Sequence, residues 1–202
     1  MSRPNLPRPG SHSGPDRLPP IDSASYTSEQ ALAAKALTAT PRGEVRGPFI
    51  PLLYSPHLLD HTQKLGAFIR YDSSIPQRLR EFAILVTARF WEQAYEWHVH
   101  AALAIGAGVT PTTIDALAEN VFPATAAADE RIVWHFCTQV HQAHCVDDAV
   151  YGETIALLGA PGTVELTALC GYYAMLAMVL NVARTPCPGN AFATPGSDTS
   201  GG

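Results

Sequence analysis

The sequence predicts an all-α fold, a bundle of about six to eight helices, and three observations carry that expectation. Apolar residues recur at helical spacing, most plainly Leu79, Phe82, Ala83, Val86 and Phe90 at i, i+3, i+4, i+7 and i+11. Helix-start signals such as Ser55-Pro56, Thr110-Pro111 and Asp147-Asp148 stand ahead of the apolar stretches. No run alternates apolar and polar residues over the length of a strand.

In chain order, residues 1–24 hold six of the seventeen prolines and read as a disordered or loosely draped arm. Ser28 is expected to cap a short helix through Leu37. Pro56 sits at a first helical position for a segment running to about Tyr71. Ser74-Ile-Pro76 opens the strongest helix, and Gly106-Ala-Gly108 ends the segment after it. Thr110-Pro111 caps Thr112–Asn120, and Ala126–Ala143 follows. Asp147-Asp148 opens a helix to Leu158 with charge that suits its N-terminal dipole. Pro161-Gly-Thr163 introduces the last helix, Val164–Ala183, with Glu165 in its first turn. Residues 186–202 read as a second disordered tail, which leaves a single helical domain over 25–185.

Composition narrows the function. At 202 residues and 47% hydrophobic, the chain can bury a real core. A net charge of −5 with no basic stripe argues against nucleic acid as a partner. Only 15% of residues are charged, which suggests burial of surface between subunits. The start of the chain has no apolar signal segment. Glu165–Ala183 could pass for a membrane span by apolarity, but it carries Thr167, Gly171, two tyrosines and Asn181, so a core helix is expected. Cys137, Cys145, Cys170 and Cys187 form no C-x-x-C pair, and are expected as reduced, buried thiols of a cytoplasmic protein.

The chemistry-bearing segment is Arg78 through His100. Glu81 stands among Phe82, Ala83, Ile84, Leu85 and Val86, where a carboxylate must be paired or protonated. Glu96 and His100 are four apart and share a helix face, so Glu96 can orient the imidazole and raise its basicity. If one helix continues from Trp91 onward, Glu92 joins them in an i, i+4, i+8 row. Such a pair suits general acid–base work. Tyr95 and Trp97 flank the acid as candidate pocket residues, and His98 falls on another face. No metal is expected: His135, His141 and His144 do not gather on one face, and the Glu-x-x-His pairs of di-metal bundles are missing.

Three stretches give a sharper reading: Leu79-Arg-Glu-Phe-Ala-Ile-Leu, then Tyr95-Glu-Trp-His-Val-His100, then Ala101-Ala-Leu-Ala-Ile-Gly-Ala-Gly-Val-Thr-Pro. Together they resemble the carboxymuconolactone decarboxylase family, whose superfamily includes alkylhydroperoxidase D. The likeness extends from about Pro48-Phe49 through Asn181. It implies helical hairpins assembled as a homo-oligomer, a trimer or hexamer, with sites near subunit contacts. In the peroxidase branch a glutamate precedes a C-x-x-C pair and a histidine follows the second cysteine by four. The glutamate corresponds to Glu81 and the histidine to His100, but Gln93 and Glu96 occupy the cysteine positions and Tyr95 lies between them. Without a thiolate there, thiol peroxidase chemistry is not expected, and the four cysteines elsewhere are poor substitutes.

The decarboxylase branch implies a cofactor-independent reaction on a small cyclic carboxylic acid. His100 is then the general acid–base, Glu96 its orienting partner and Glu81 a second proton relay. Arg78, Arg80 and Arg89 are candidates to hold a substrate carboxylate. The alternatives carried with this reading are a peroxide-reducing oxidoreductase, and a non-catalytic oligomeric member in which the same residues fix helix packing.

Overall fold

The computed structural model describes residues 14–195, and among these there are helices and no strand. The helices are α1 (Ser28–Thr38), α2 (Phe49–Leu52), α3 (Pro56–Ala67), α4 (Gln77–Phe90), α5 (Ala94–Gly106), α6 (Pro111–Ala118), α7 (Ala128–Ala143) and α8 (Asp148–Ala183). The all-α bundle expected from the sequence is therefore present.

Local chemistry explains most boundaries. Thr27, rather than Ser28, caps α1: its hydroxyl accepts from the Gln30 amide at 3.2 Å, and Gln30 Oε1 accepts from the Thr27 amide at 3.0 Å. Pro56 and Pro111 take first-turn positions, where a missing N–H costs nothing. The segment expected to run to Tyr71 passes after Ala67 into a π-turn, Phe68–Asp72. Asp147 caps α8 by accepting from the Val150 amide at 2.9 Å. The two last helices of the sequence reading abut directly. Gly159, at φ 68°, makes the kink between them, in a conformation open to glycine, and Pro161 restarts the helix. Glu165, in the first turn after that kink, accepts from the amide and hydroxyl of Ser74 at 2.7 and 2.8 Å, tying the entry of α4 to α8.

The core lies where α4 meets α5, α7 and α8. Leu79, Phe82, Ala83, Ile84 and Leu85 of α4 are buried there, with Leu166, Leu169, Leu176 and Leu180 of α8. Truncating a residue as fully enclosed as Phe82 costs about 3–5 kcal/mol. Phe90, the last member of the predicted stripe, is instead 39% exposed, because α4 ends beside it. α8 is long and apolar enough to cross a membrane by length and composition, and here it forms the spine of this core.

The described part of the N-terminal arm is draped on the bundle, and the described part of the C-terminal tail departs from the expectation of disorder. The Arg17 amide donates to the Ala183 carbonyl at 2.7 Å, and Tyr54 donates to the Pro19 carbonyl at 2.8 Å. At the other end, the Ala193 carbonyl accepts from Trp97 Nε1 at 3.1 Å and Phe192 packs edge-on against the Trp97 ring. Backbone groups that satisfy partners on the bundle hold these proline-rich stretches in place. The remainder of both predicted tails, 1–13 and 196–202, lies outside the described residues.

Candidate active site

A sharp turn between α4 and α5 sets up the site. Trp91 leaves the helix, Glu92 takes the left-handed conformation at φ 48°, and Gln93 becomes extended. The expected row of Glu92, Glu96 and His100 therefore loses Glu92, since the helix does not run through Trp91–Gln93. Gln93 does structural work at both ends of its amide. Its Oε1 accepts from the Tyr95 amide at 2.7 Å, capping α5, and its Nε2 donates to Asn181 Oδ1 at 2.8 Å. Asn181 in turn donates to the Trp91 carbonyl at 3.0 Å. α8 thus clamps the turn, which fixes the register of Glu96 and His100 one and two turns later.

Glu81, Glu96 and His100 meet in the interior, and each is almost wholly buried. His100 Nδ1 lies 2.6 Å from Glu81 Oε2, and its Nε2 lies 3.4 Å from Glu96 Oε2. The sequence reading brought these three residues forward, yet the closer partner of the ring is Glu81, from the neighbouring helix, rather than the i+4 neighbour Glu96. Burial works against charging the imidazole, but Glu81, accepting from the ring, and the nearby Glu96 carboxylate outweigh it and raise the His100 pKa above 6.5. Burial likewise pushes the Glu81 carboxyl up, and the bond to His100 overcomes this and holds it below 4.5. Both shifts favour the ionic form of the pair, most plainly between pH 4.5 and 6.5. Tyr173 meets the His100 ring edge-on at 5.1 Å. Burial drives its phenol pKa far upward, so it remains a neutral donor.

Beside His100 opens a cleft; together with the open solvent adjoining it, its empty space is about 510 Å³. Three arginines line it: Arg42 and Arg46 from the loop before α2, and Arg70 from the π-turn. Tyr95, Glu96, Tyr172, Tyr173 and Phe49 complete much of the wall. Arg42 is buried, its guanidinium 5.0 Å from the centre of the Phe49 ring, and its Nε and Nη1 have no protein partner. The Tyr172 hydroxyl and Glu96 Oε1 are also buried without one. Burial pushes the Tyr172 phenol up to about 12, against the opposing pull of Arg42. Tyr95 reaches the cleft across Gly47, where φ is +55° and an added Cβ would come within 2.4 Å of the ring.

Several expected site residues lie elsewhere. Arg78 is bound by Asp129, at 2.5 Å, and by Glu130, so its charge is spent on anchoring α4 to α7. Arg80 donates to the Ile75 carbonyl at 3.4 Å and does not line the cleft, because its helical phase turns it away from His100. Arg89 donates to the Ala118 carbonyl at 2.7 Å and covers Phe192. Trp97, next to Glu96, is rotated about 100° around the helix and is enclosed against the C-terminal segment, away from the cleft.

Arg42, Arg46, Arg70, Tyr172 and Tyr173 were missed by sequence reasoning. The Tyr172-Tyr173 doublet in an apolar helix was the one signal that could have found any of them. The arginines carry none, since their convergence depends on how loops fold over α5.

Among the described residues, no group of three or more His, Cys, Asp or Glu side chains has the geometry to hold a metal ion. Two cysteines are buried and free, Cys137 and Cys170, whereas Cys145 is exposed and Cys187 half-buried, contrary to the expectation that all four are interior.

No curated protein and no solved structure matches the chain. A family sequence profile does match, over residues 56–139, a span that contains Arg70, Glu81, Tyr95, Glu96 and His100 and is shorter than the likeness expected from Pro48 to Asn181. Over that segment the chain is similar to the carboxymuconolactone decarboxylase family.

Proposed function

We propose that the cleft takes a small cyclic carboxylic acid and that His100 moves a proton to or from its carbon skeleton without a bound cofactor, in a decarboxylation or a related lyase reaction. The observation that carries this reading is the convergence of unpaired buried polar atoms on one cleft: Arg42 Nε and Nη1, the Tyr172 hydroxyl and Glu96 Oε1. Each such group costs about 1–3 kcal/mol when left unsatisfied. A bound carboxylate answers the guanidinium and the phenol at once, with a charge-assisted bidentate contact to Arg42. Arg70 and Arg46 add positive charge around the same space.

The chemistry follows from the couple beneath. Breaking the C–C bond to the departing carboxylate releases CO2 and leaves its electron pair on the carbon skeleton, where a conjugated carbonyl delocalises it. A proton must then reach carbon. The His100 imidazolium supplies it from Nε2, the nitrogen not held by Glu81. Glu81 keeps the ring oriented and charged, and Glu96, 3.4 Å from Nε2, accepts and returns protons between turnovers. The likeness to the family over residues 56–139 supports enzyme-like function in general, and the arginines and the buried couple support an acid substrate and proton transfer in particular. Self-association belongs to the same proposal. Leu58, Leu65, Phe68 and Tyr71 along α3 and its π-turn are all more than 40% exposed, as a second copy's contact face requires, and analytical ultracentrifugation reads it directly.

The reading is tested by following 4-carboxymuconolactone with wild type, Arg42→Met and Arg70→Met. Wild-type turnover with KM raised at least about tenfold in each variant supports it. An acid that neither binds nor turns over, or variants with unchanged KM, overturns it.

A further inference from the structure

Outside the lining of the His100 cleft, two thiols face each other in the core. Cys137 of α7 and Cys170 of α8 are fully buried, and their Sγ atoms are 3.5 Å apart. Thirty-three residues separate them in sequence, so no motif announces the pair. Their company is polar in an otherwise apolar interior. His141, one turn beyond Cys137 on the same face of α7, and Thr87 of α4 both stand against Cys170. The Thr87 hydroxyl donates to the Ala83 carbonyl at 2.9 Å, so its oxygen is left to accept from His141 Nε2 at 3.0 Å. The imidazole is stacked on Phe90 at 4.9 Å and lines an open cleft with Arg89, Trp134 and Gln142.

We propose that Cys137, Cys170 and His141 form a redox-active dithiol site, which hydrogen peroxide or a similarly small hydroperoxide oxidises to an intramolecular disulfide. The geometry meets the main requirement: two sulfurs in contact need only a small approach of α7 and α8 to bond. Both thiols are fully buried, and His141 separates them from the neighbouring cleft, so the proposal is confined to the smallest oxidants. His141 and Thr87 stand against Cys170, and their hydrogen bonding favours its thiolate, which makes it the nucleophile; Cys137, enclosed and raised in pKa, stays a thiol.

The steps balance. The Cys170 thiol passes its proton to His141 and the thiolate attacks one peroxide oxygen; an S–O bond forms, the O–O bond breaks, and the departing oxygen, which keeps its own hydrogen, takes that proton back from His141 and leaves as water. Cys137 then attacks Cys170 Sγ. The S–S bond forms, the S–O bond breaks, and the hydroxyl leaves as water with the Cys137 proton. Two thiols are oxidised and one peroxide is reduced.

The test uses the full chain with Cys145→Ser and Cys187→Ser, so that only the buried pair can react. After hydrogen peroxide, the protein is denatured, alkylated and mapped by mass spectrometry. The expected result is one cross-linked peptide joining Cys137 to Cys170, with two hydrogens lost and no cross-link after glutathione disulfide. His141→Gln should slow its formation by about tenfold or more. Recovery of both cysteines as separate alkylated or over-oxidised peptides overturns the proposal, as does equal oxidation by glutathione disulfide. An unchanged rate in His141→Gln removes the imidazole from the site. Cys137 and Cys170 both stay in place throughout, so a folding defect from replacing either cannot obscure the result.

Discussion

Replacing Glu81 by Gln isolates the ionic couple at the centre of the site. Glutamine keeps the shape and an acceptor for the Nδ1–H, so the helix interface survives, but the charge that stabilises the imidazolium is gone. Glu81 and His100 are both almost wholly buried and 2.6 Å apart. Removing one member of such a pair costs about 3–5 kcal/mol when nothing replaces it. The retained hydrogen bond reduces that to about 2–3 kcal/mol, near the value of a bond to a charged group. For a domain of this size that corresponds to a fall in Tm of roughly 4–12 °C. The same change should lower the His100 pKa, since Glu96 at 3.4 Å is left as its one carboxylate neighbour. The assay is urea unfolding at several pH values, with an NMR titration of the His100 ring in parallel. The variant's deficit should be largest near pH 6 and shrink once wild-type His100 itself loses its proton. An unaltered His100 titration, or a deficit independent of pH, would show that the two side chains are not coupled as described.

Wild-type stability itself should be greatest in a window set by this pair. The raised His100 pKa contributes stability that is complete below 6.5 and lost as pH rises through its folded value; the depressed Glu81 pKa contributes stability present above 4.5 and lost as pH falls. Urea midpoints should therefore peak between those values and decline on both sides, and a monotonic profile would count against the couple. Asn181→Ala removes the clamp on Trp91 and Gln93, leaving buried polar groups unpaired, and should cost about 1–3 kcal/mol by chemical denaturation while lowering turnover more than Tm alone predicts. Gly47→Ala places a Cβ against the Tyr95 ring at a left-handed backbone position. It should cost about 1–2 kcal/mol and raise KM, and an unchanged KM would exclude Tyr95 from substrate contact.

What the sequence made legible divides along helix boundaries. Within one helix, periodicity and spacing largely suffice: the α4 stripe as far as Val86 and the Glu96–His100 pair are where the pattern puts them. Glu81 was marked as needing a partner by its apolar neighbours alone, and His100 answers that need. The Glu92 expectation failed because the α4–α5 break contains neither glycine nor proline; it is imposed by Asn181, ninety residues on in sequence from the Trp91 carbonyl it binds. The arginines failed for a related reason. A charge at Arg78 or Arg80 looks free to bind substrate in one dimension, and only packing shows that Asp129 and Glu130 consume the first. Arg42 and Arg70 reach the cleft from a loop and a π-turn whose paths no local signal fixes. Cys137 and Cys170 are the extreme case, in contact only because α7 and α8 pack.

Everything proposed for the cleft depends on His100, held between two buried carboxylates, as the group that transfers the proton. CO2 release from 4-carboxymuconolactone reads that role, with wild type and His100→Ala each shown by circular dichroism to be equally helical. Wild type should release CO2 and the variant should not. Release at the same rate from a folded His100→Ala protein would contradict the assignment.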